Sequence, residues 1–185
     1  MSTVTGAPPG LLDRARTMLV VVDVQEAFRK AIDGFDAVAH SVGVLVQGAR
    51  ALDIPITVTE QYPRGLGATV PEVAEHLGDA PRLEKVVFSA AQADGFDLRG
   101  RDQVLVCGIE AHVCVSQTVH DLLAQGVEVH VAADAVSSRT RENRELGLAK
   151  MQRAGALSTS TETALFELLG RAGTPEFKAV QELVR

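Results

Sequence analysis

Short, unbroken apolar runs alternate along the chain with stretches where apolar side chains recur every third or fourth residue. Met18-Leu-Val-Val-Val-Asp23 is β-branched, continuous and ends on an acid. Such a run predicts a strand covered on both faces. From Phe35 to Leu52, the residues Val38, Val42, Leu45, Ala49 and Leu52 fall at intervals of three and four. That spacing predicts an amphipathic helix. Ile54 to Thr59 reads as a second strand, with proline tolerated at its start. Tyr62 to Thr69 is a Pro/Gly loop, and Pro71 opens a short helix ending at Gly78. Further strands are predicted over Arg82–Phe88, Gln103–Cys107, Val127–Ala132 and Ala156–Thr159, with helices over 112–125, 141–154 and 161–170. The first of these helices puts Val115, Val119 and Leu122 on one face and stops at Gly126. Thr159-x-x-Glu162 reads as a capping box for the last. Residues 90–102 are polar and read mostly as loop. Residues 1–12 read as a flexible tail, and 13–185 as a single domain without repeats or linkers.

Strands alternating with helices predict an α/β fold: three layers, α/β/α, around a six-stranded, mainly parallel sheet. In such sheets ligands bind beyond the carboxyl ends of the strands, near the point where strand order reverses. Those ends carry Asp23-Val-Gln25, Glu60-Gln61-Tyr62, Phe88-Ser89, Gly108 to Cys114, and Asp134.

Composition narrows the partners. The 185 residues fit one domain of ordinary size. The net charge of −6 argues against phosphate backbones and anionic membranes, which demand clustered Lys and Arg. Aromatics make up only 4 % and Trp is absent, which disfavours stacking platforms for single strands. No apolar run reaches the ~20 residues needed to span a bilayer. The N-terminal stretch lacks the apolar core of a secretory signal. Cys107 and Cys114 are the only cysteines and have no zinc-finger or CxxC spacing. The expectation is a soluble, cytoplasmic protein with reduced thiols.

Three strand ends carry candidate chemistry. Asp23 closes an apolar strand, so its carboxylate is either a structural acceptor or cap, or a group poised to move protons. Lys85 shares a strand face with Leu83 and Val87. It is either a solvent-facing edge residue paired with Glu84, or a buried cation that needs a partner. Cys114 lies just inside a predicted helix N-terminus, where backbone N–H groups and the helix dipole would lower a thiol pKa. Cys107, within a strand, reads as an inert core residue.

Asp23-Val-Gln25 after an apolar strand, Glu84-Lys85 in the third, and Gly108-Ile-Glu-Ala-His-Val-Cys114-Val115 after the fourth resemble the isochorismatase-like cysteine hydrolases. Thr59-Glu-Gln-Tyr-Pro-Arg-Gly-Leu-Gly67 is most similar to the branch of isochorismatase domain-containing proteins. The resemblance covers about residues 13–170 and implies the isochorismatase-like, Rossmann-like fold. It implies a catalytic triad of Asp23, Lys85 and Cys114. Asp23 would take the thiol proton and return it to the leaving group, and Lys85 would hold the carboxylate and favour the thiolate. It also implies a cis peptide at Ile109–Glu110 and an oxyanion hole from the N–H groups of Glu110 and Cys114. A homo-oligomer is implied too, and the apolar stretch Phe177 to Val184 offers surface for it.

Gln25, Phe28, Gln61, Tyr62 and His112 are candidates for binding a small-molecule substrate. Phe28 reads more readily as core, and His112 equally as a solvent-facing helix residue. Glu110 would recognise a cationic or amide group, or pair with an arginine such as Arg139. The segment after the second strand has no His before His76, so the metal cluster of nicotinamidases is not supported, and no metal or organic cofactor is expected. The activity implied is cleavage of a C–N bond in a small amide or ureido compound through a thioester. The competing readings are a catalytically silent structural or interaction member of the fold, and a nucleotide-binding domain. Gly65-Leu-Gly67 completes no phosphate-binding motif, which weakens the latter.

Overall fold

The computed structural model describes residues 7–185. Six strands form one sheet: β1 (Thr17–Val22), β2 (Ile56–Gln61), β3 (Arg82–Lys85), β4 (Gln103–Ile109), β5 (Glu128–Ser137) and β6 (Leu157–Thr159). Their order is β3-β2-β1-β4-β5-β6, and all five pairings are parallel. The chain builds outward from β1 to one side, then returns to β1 and builds to the other. The order therefore reverses between β1 and β4, which is where such sheets form their crevice.

Alternation along β1 divides the core. Leu19 and Val21 join the apolar layer under α1 (Phe35–Ala51), α6 (Thr161–Leu169) and α7 (Pro175–Leu183). Met18, Val20 and Val22 join the layer under α4 (Ser116–Ala124) and α5 (Arg141–Ala154). This is the period-2 geometry of a strand sandwiched between helices. Two short helices, α2 (Pro63–Leu66) and α3 (Pro71–Ala74), start on prolines in the segment after β2.

Several expected boundaries move. The third strand stops at Lys85 instead of running to Phe88, because Lys85 Nζ donates back to the carbonyls of Val87 (3.3 Å) and Phe88 (3.0 Å) and the chain turns there. Val86, Val87 and Phe88 are left exposed. The fifth strand runs to Ser137, past an irregularity in its pairing with β4 between Val106 and Gly108. The helix expected at 112–125 opens with a wide π turn over Ala111–Val115 before α4 begins. The cap of α6 is Ser160, one residue beyond the expected box, with its hydroxyl accepting from the Thr163 N–H at 3.1 Å.

The apolar stretch near the C-terminus is used within the chain. Thr174 caps α7, Val180 is fully buried, and Leu183 and Val184 pack on the core. It therefore offers less free surface for self-association than the sequence suggested. Of the expected tail, residues 1–6 lie outside the described residues. Leu12 at its inner end is fully buried, and its N–H donates to Glu167 Oε2 at 3.1 Å.

Candidate active site

Register brings the candidate residues to one rim. Val22, the last residue of β1, pairs with Thr59 on one side and Gly108 on the other. A Cβ on Gly108 would sit 2.0 Å from the Val22 carbonyl oxygen, and Gly108 has φ +115°. Only glycine allows β4 this approach and this backbone conformation. The ends of β1 and β4 are thereby held together, with Asp23 beyond one and Cys114 beyond the other. On the far side, Gly147 of α5 packs on the backbone of Ala111 and His112, where a Cβ would meet atoms at 2.8 Å. That contact presses the turn carrying Cys114 onto α5.

Asp23 has a left-handed backbone, φ 53°. This is costly for a non-glycine residue and persists where the surroundings fix it. The Asp23 N–H donates to Thr59 O at 3.1 Å, and the Gln25 N–H donates to Asp23 O at 2.9 Å. The turn aims a fully buried carboxylate along the rim. Thr59 Oγ1 donates to its Oδ1 at 2.7 Å, and Lys85 Nζ donates to its Oδ2 at 2.7 Å. The side chains of Asp23 and Lys85 are both wholly shielded from solvent. Lys85 is thus the buried cation with a partner, not the edge residue paired with Glu84. The ammonium also donates to Gln61 Oε1 at 2.6 Å, besides the two carbonyls beyond β3.

Cys114 lies in the same place, buried, in the π turn. Asp23 acts on its thiol as a nearby negative charge. Burial and that carboxylate push the thiol pKa up to about 12, against the opposing pull of Lys85. The expectation of a lowered pKa from the helix N-terminus is therefore corrected: desolvation and a neighbouring anion outweigh the backbone dipole. Cys107 is a fully buried core thiol, as expected, and burial raises its pKa too.

The remaining candidates separate. The peptide Ile109–Glu110 is cis, as the resemblance implied. Glu110 Oε2 accepts from the Arg139 N–H at 3.1 Å and its Nε at 3.0 Å, so the arginine alternative holds. Gln61 belongs to the cluster through Lys85. Gln25 is buried and fully engaged by backbone: it takes the Gln61 N–H (2.7 Å) and gives to Gln61 O (3.0 Å) and Gly67 O (2.6 Å). Both of its amide protons are taken, and it braces the loop between β2 and Gly67. Phe28 packs against the core layer beneath α1. The half-buried His112 has Nδ1 3.0 Å from Ser138 Oγ. Tyr62 is 56 % exposed and lines a cleft of about 440 Å³ with Arg64, Lys85, Val87, Gln92 and Asp94. That cleft touches the Lys85 side of the cluster and not Cys114. Thr59 was missed in sequence; its only signal was its place at the end of the strand beside β1.

Among the described residues, no group of three or more His, Cys, Asp or Glu side chains is arranged to hold a metal ion. Glu60, near the end of β2, accepts from the N–H and the hydroxyl of Thr69, each at 2.7 Å. Nor is any helix among these residues long and apolar enough to cross a membrane.

Known proteins share this arrangement of elements. The secreted isochorismatase effector Isc1 of Phytophthora sojae is 42 % identical over 177 residues, covering 91 % of this chain and 84 % of that protein. Human isochorismatase domain-containing protein 2 is 41 % identical over 172 residues, covering 91 % and 83 %. A solved structure described as MAR1 ribonuclease from Caenorhabditis elegans superposes with a TM-score of 0.89 at 40 % identity, covering 94 % and 92 %. The profile of the isochorismatase domain matches residues 17–163, from the first residue of β1 into α6. With that match and relatives near 40 % identity over nine-tenths of its length, this chain belongs to the isochorismatase family and has its hydrolase fold.

Proposed function

We propose that this chain is a cysteine hydrolase that cleaves the C–N bond of a small amide or ureido compound. The observation that carries the reading is the Asp23 carboxylate, buried between the Lys85 ammonium and the Cys114 thiol. A thiol with a raised pKa is a poor nucleophile alone. Beside a carboxylate it loses its proton as it attacks, and the carboxylate is the general base. The transfer converts an Asp⁻/Lys⁺ pair into a Cys⁻/Lys⁺ pair. The buried site holds one anion and one cation throughout, so no net charge is created away from water.

The sulfur then forms a bond to the substrate carbonyl carbon. The N–H groups of Glu110 and Cys114 are assigned to the oxyanion. Protonated Asp23 returns its proton to the nitrogen as the C–N bond breaks, and amine or ammonia leaves. Water adds to the thioester, Asp23 takes its proton, and the acid departs as the thiol is restored. No step calls for a metal or organic cofactor.

A free sulfur suits a reducing compartment, and a cytoplasmic setting belongs to the same reading. So does a homo-oligomer, for which Tyr62, Val86, Val87 and Phe88 are exposed apolar surface beside the cleft. Light scattering that finds a strict monomer refutes the oligomer. The ribonuclease named for the nematode relative is not carried over: a net charge of −6 disfavours a polyanion.

The test is ammonia release from a panel of primary amides and ureido acids. Turnover by the wild type that is lost in both Asp23→Asn and Cys114→Ala supports the reading. Turnover that survives Cys114→Ala overturns it.

A further inference from the structure

Ser89 lies on the loop that joins the two halves of the proposed site, and that site gives it no work. The residue is 2 % exposed, and its hydroxyl is buried without a hydrogen-bond partner among the described residues. Buried hydroxyls are nearly always paired, since an unpaired one costs stability. Ser89 also stands at the N-cap of the turn Ala90–Gln92, where serine ordinarily accepts from a backbone N–H. Here the side chain makes no such bond.

Its neighbours fasten it to both sides of the chemistry. The carbonyl of Phe88, one residue before, accepts from Lys85 Nζ at 3.0 Å. The N–H of Ala90, one residue after, donates to Thr118 Oγ1 at 2.8 Å, and that hydroxyl donates to the Cys114 carbonyl at 2.7 Å. Ala90 packs in the same apolar cluster as Cys114. The unpaired hydroxyl thus belongs to a loop tied on one side to the Lys85 ammonium and on the other to the turn of Cys114.

We infer that Ser89 is a substrate-binding residue, and that its hydroxyl is left unpaired for the amide or ureido group of the substrate. A hydroxyl both donates and accepts, and an amide presents both an N–H and a carbonyl. The inference rests on the cysteine-hydrolase reading and narrows it to substrates that bring a hydrogen-bonding group to the reacting carbon.

Two alkylating probes test it without a known substrate. Iodoacetamide carries a primary amide; iodomethane is small and carries no hydrogen-bonding group. With either, Sγ forms a bond to carbon, iodide leaves, and the thiol proton passes to Asp23. Modification of Cys114 is followed by mass spectrometry in wild type, Ser89→Ala and Asp23→Asn, with thermal midpoints measured alongside. In Ser89→Ala the iodoacetamide rate is expected to fall about tenfold, the loss of roughly one hydrogen bond. The iodomethane rate should be unchanged and the thermal midpoint no lower than wild type, because an unpaired buried polar atom has been removed. If Ser89→Ala leaves the ratio of the two rates unchanged while Asp23→Asn abolishes reactivity, Ser89 is no substrate group and only this inference fails. If wild-type Cys114 reacts with neither probe faster than an unfolded-chain cysteine, and Asp23→Asn changes nothing, the hydrolase reading fails and takes this one with it.

Discussion

Replacing Lys85 by methionine keeps the stem and removes the charge. At 2.7 Å and an effective dielectric constant near 20, the gross attraction between Lys85 and Asp23 is about 6 kcal/mol. Desolvation of both ions offsets much of it, so the pair adds little net stability over an apolar replacement. Removing one partner is different, because the Asp23 carboxylate stays buried with Thr59 as its remaining side-chain donor. Breaking a buried pair this way costs about 3–5 kcal/mol. The bonds to Gln61, Val87 and Phe88 are lost with it. For a chain of this size that lowers the thermal midpoint by roughly 6–20 °C. The double variant Asp23→Asn/Lys85→Met, with no buried charge, should recover about half or more of the loss while remaining inactive. Urea unfolding and calorimetry on the two variants check this. A single variant within about 1 kcal/mol of wild type, or a double variant less stable than the single, would refute the argument from an uncompensated buried charge.

Three further outcomes follow from the same contacts. Cys114 ionises near pH 12 in the folded chain and near ~8.5 unfolded, so above pH ~8.5 the folded state holds more protons and stability falls as pH rises. Cys114→Ala should relieve that alkaline loss by about 1.4 kcal/mol per pH unit between pH 9 and 11, read from unfolding midpoints; equal slopes in the two proteins refute it. Thr59→Val removes the donor to Asp23 Oδ1, and should cost about 1.5–3 kcal/mol and slow ammonia release more than it weakens substrate binding. Kinetics that change only in KM count against a role in aiming the carboxylate. Gly108→Ala forces a methyl into the Val22 carbonyl and should leave little folded protein at 37 °C, measured by circular dichroism; a stable, active variant contradicts the close approach of β1 and β4.

How much of this was legible in sequence depended on whether the signal was local. The run Met18–Val22 announced a central strand because both of its faces are buried. Phe35–Ala51 announced a helix because its larger apolar residues recur every third or fourth position. Val86-Val87-Phe88 looks like strand in composition, but the chain leaves the sheet because the Lys85 side chain captures its carbonyls, a tertiary event with no mark in spacing. Gln25 reads as a polar residue at a strand end, and only the folded chain reveals that the backbone around Gln61 and Gly67 uses its carboxamide. Cys114 shows the same limit in its electrostatics. Its position argued for a lowered pKa, but burial, and then Asp23, 91 residues earlier in the chain, decide the opposite direction.

The ammonium at Lys85 has two employments. It neutralises the carboxylate, and by gripping the carbonyls of Val87 and Phe88 it shapes the lip on which Ser89 and the exposed apolar residues stand. Chemistry and contour at this edge of the molecule therefore depend on a single nitrogen. A descendant that discarded the amine would not become an inert copy with an intact mouth. Its rim would come loose with its reactivity, and any partner that docked there would have to recognise a different shape.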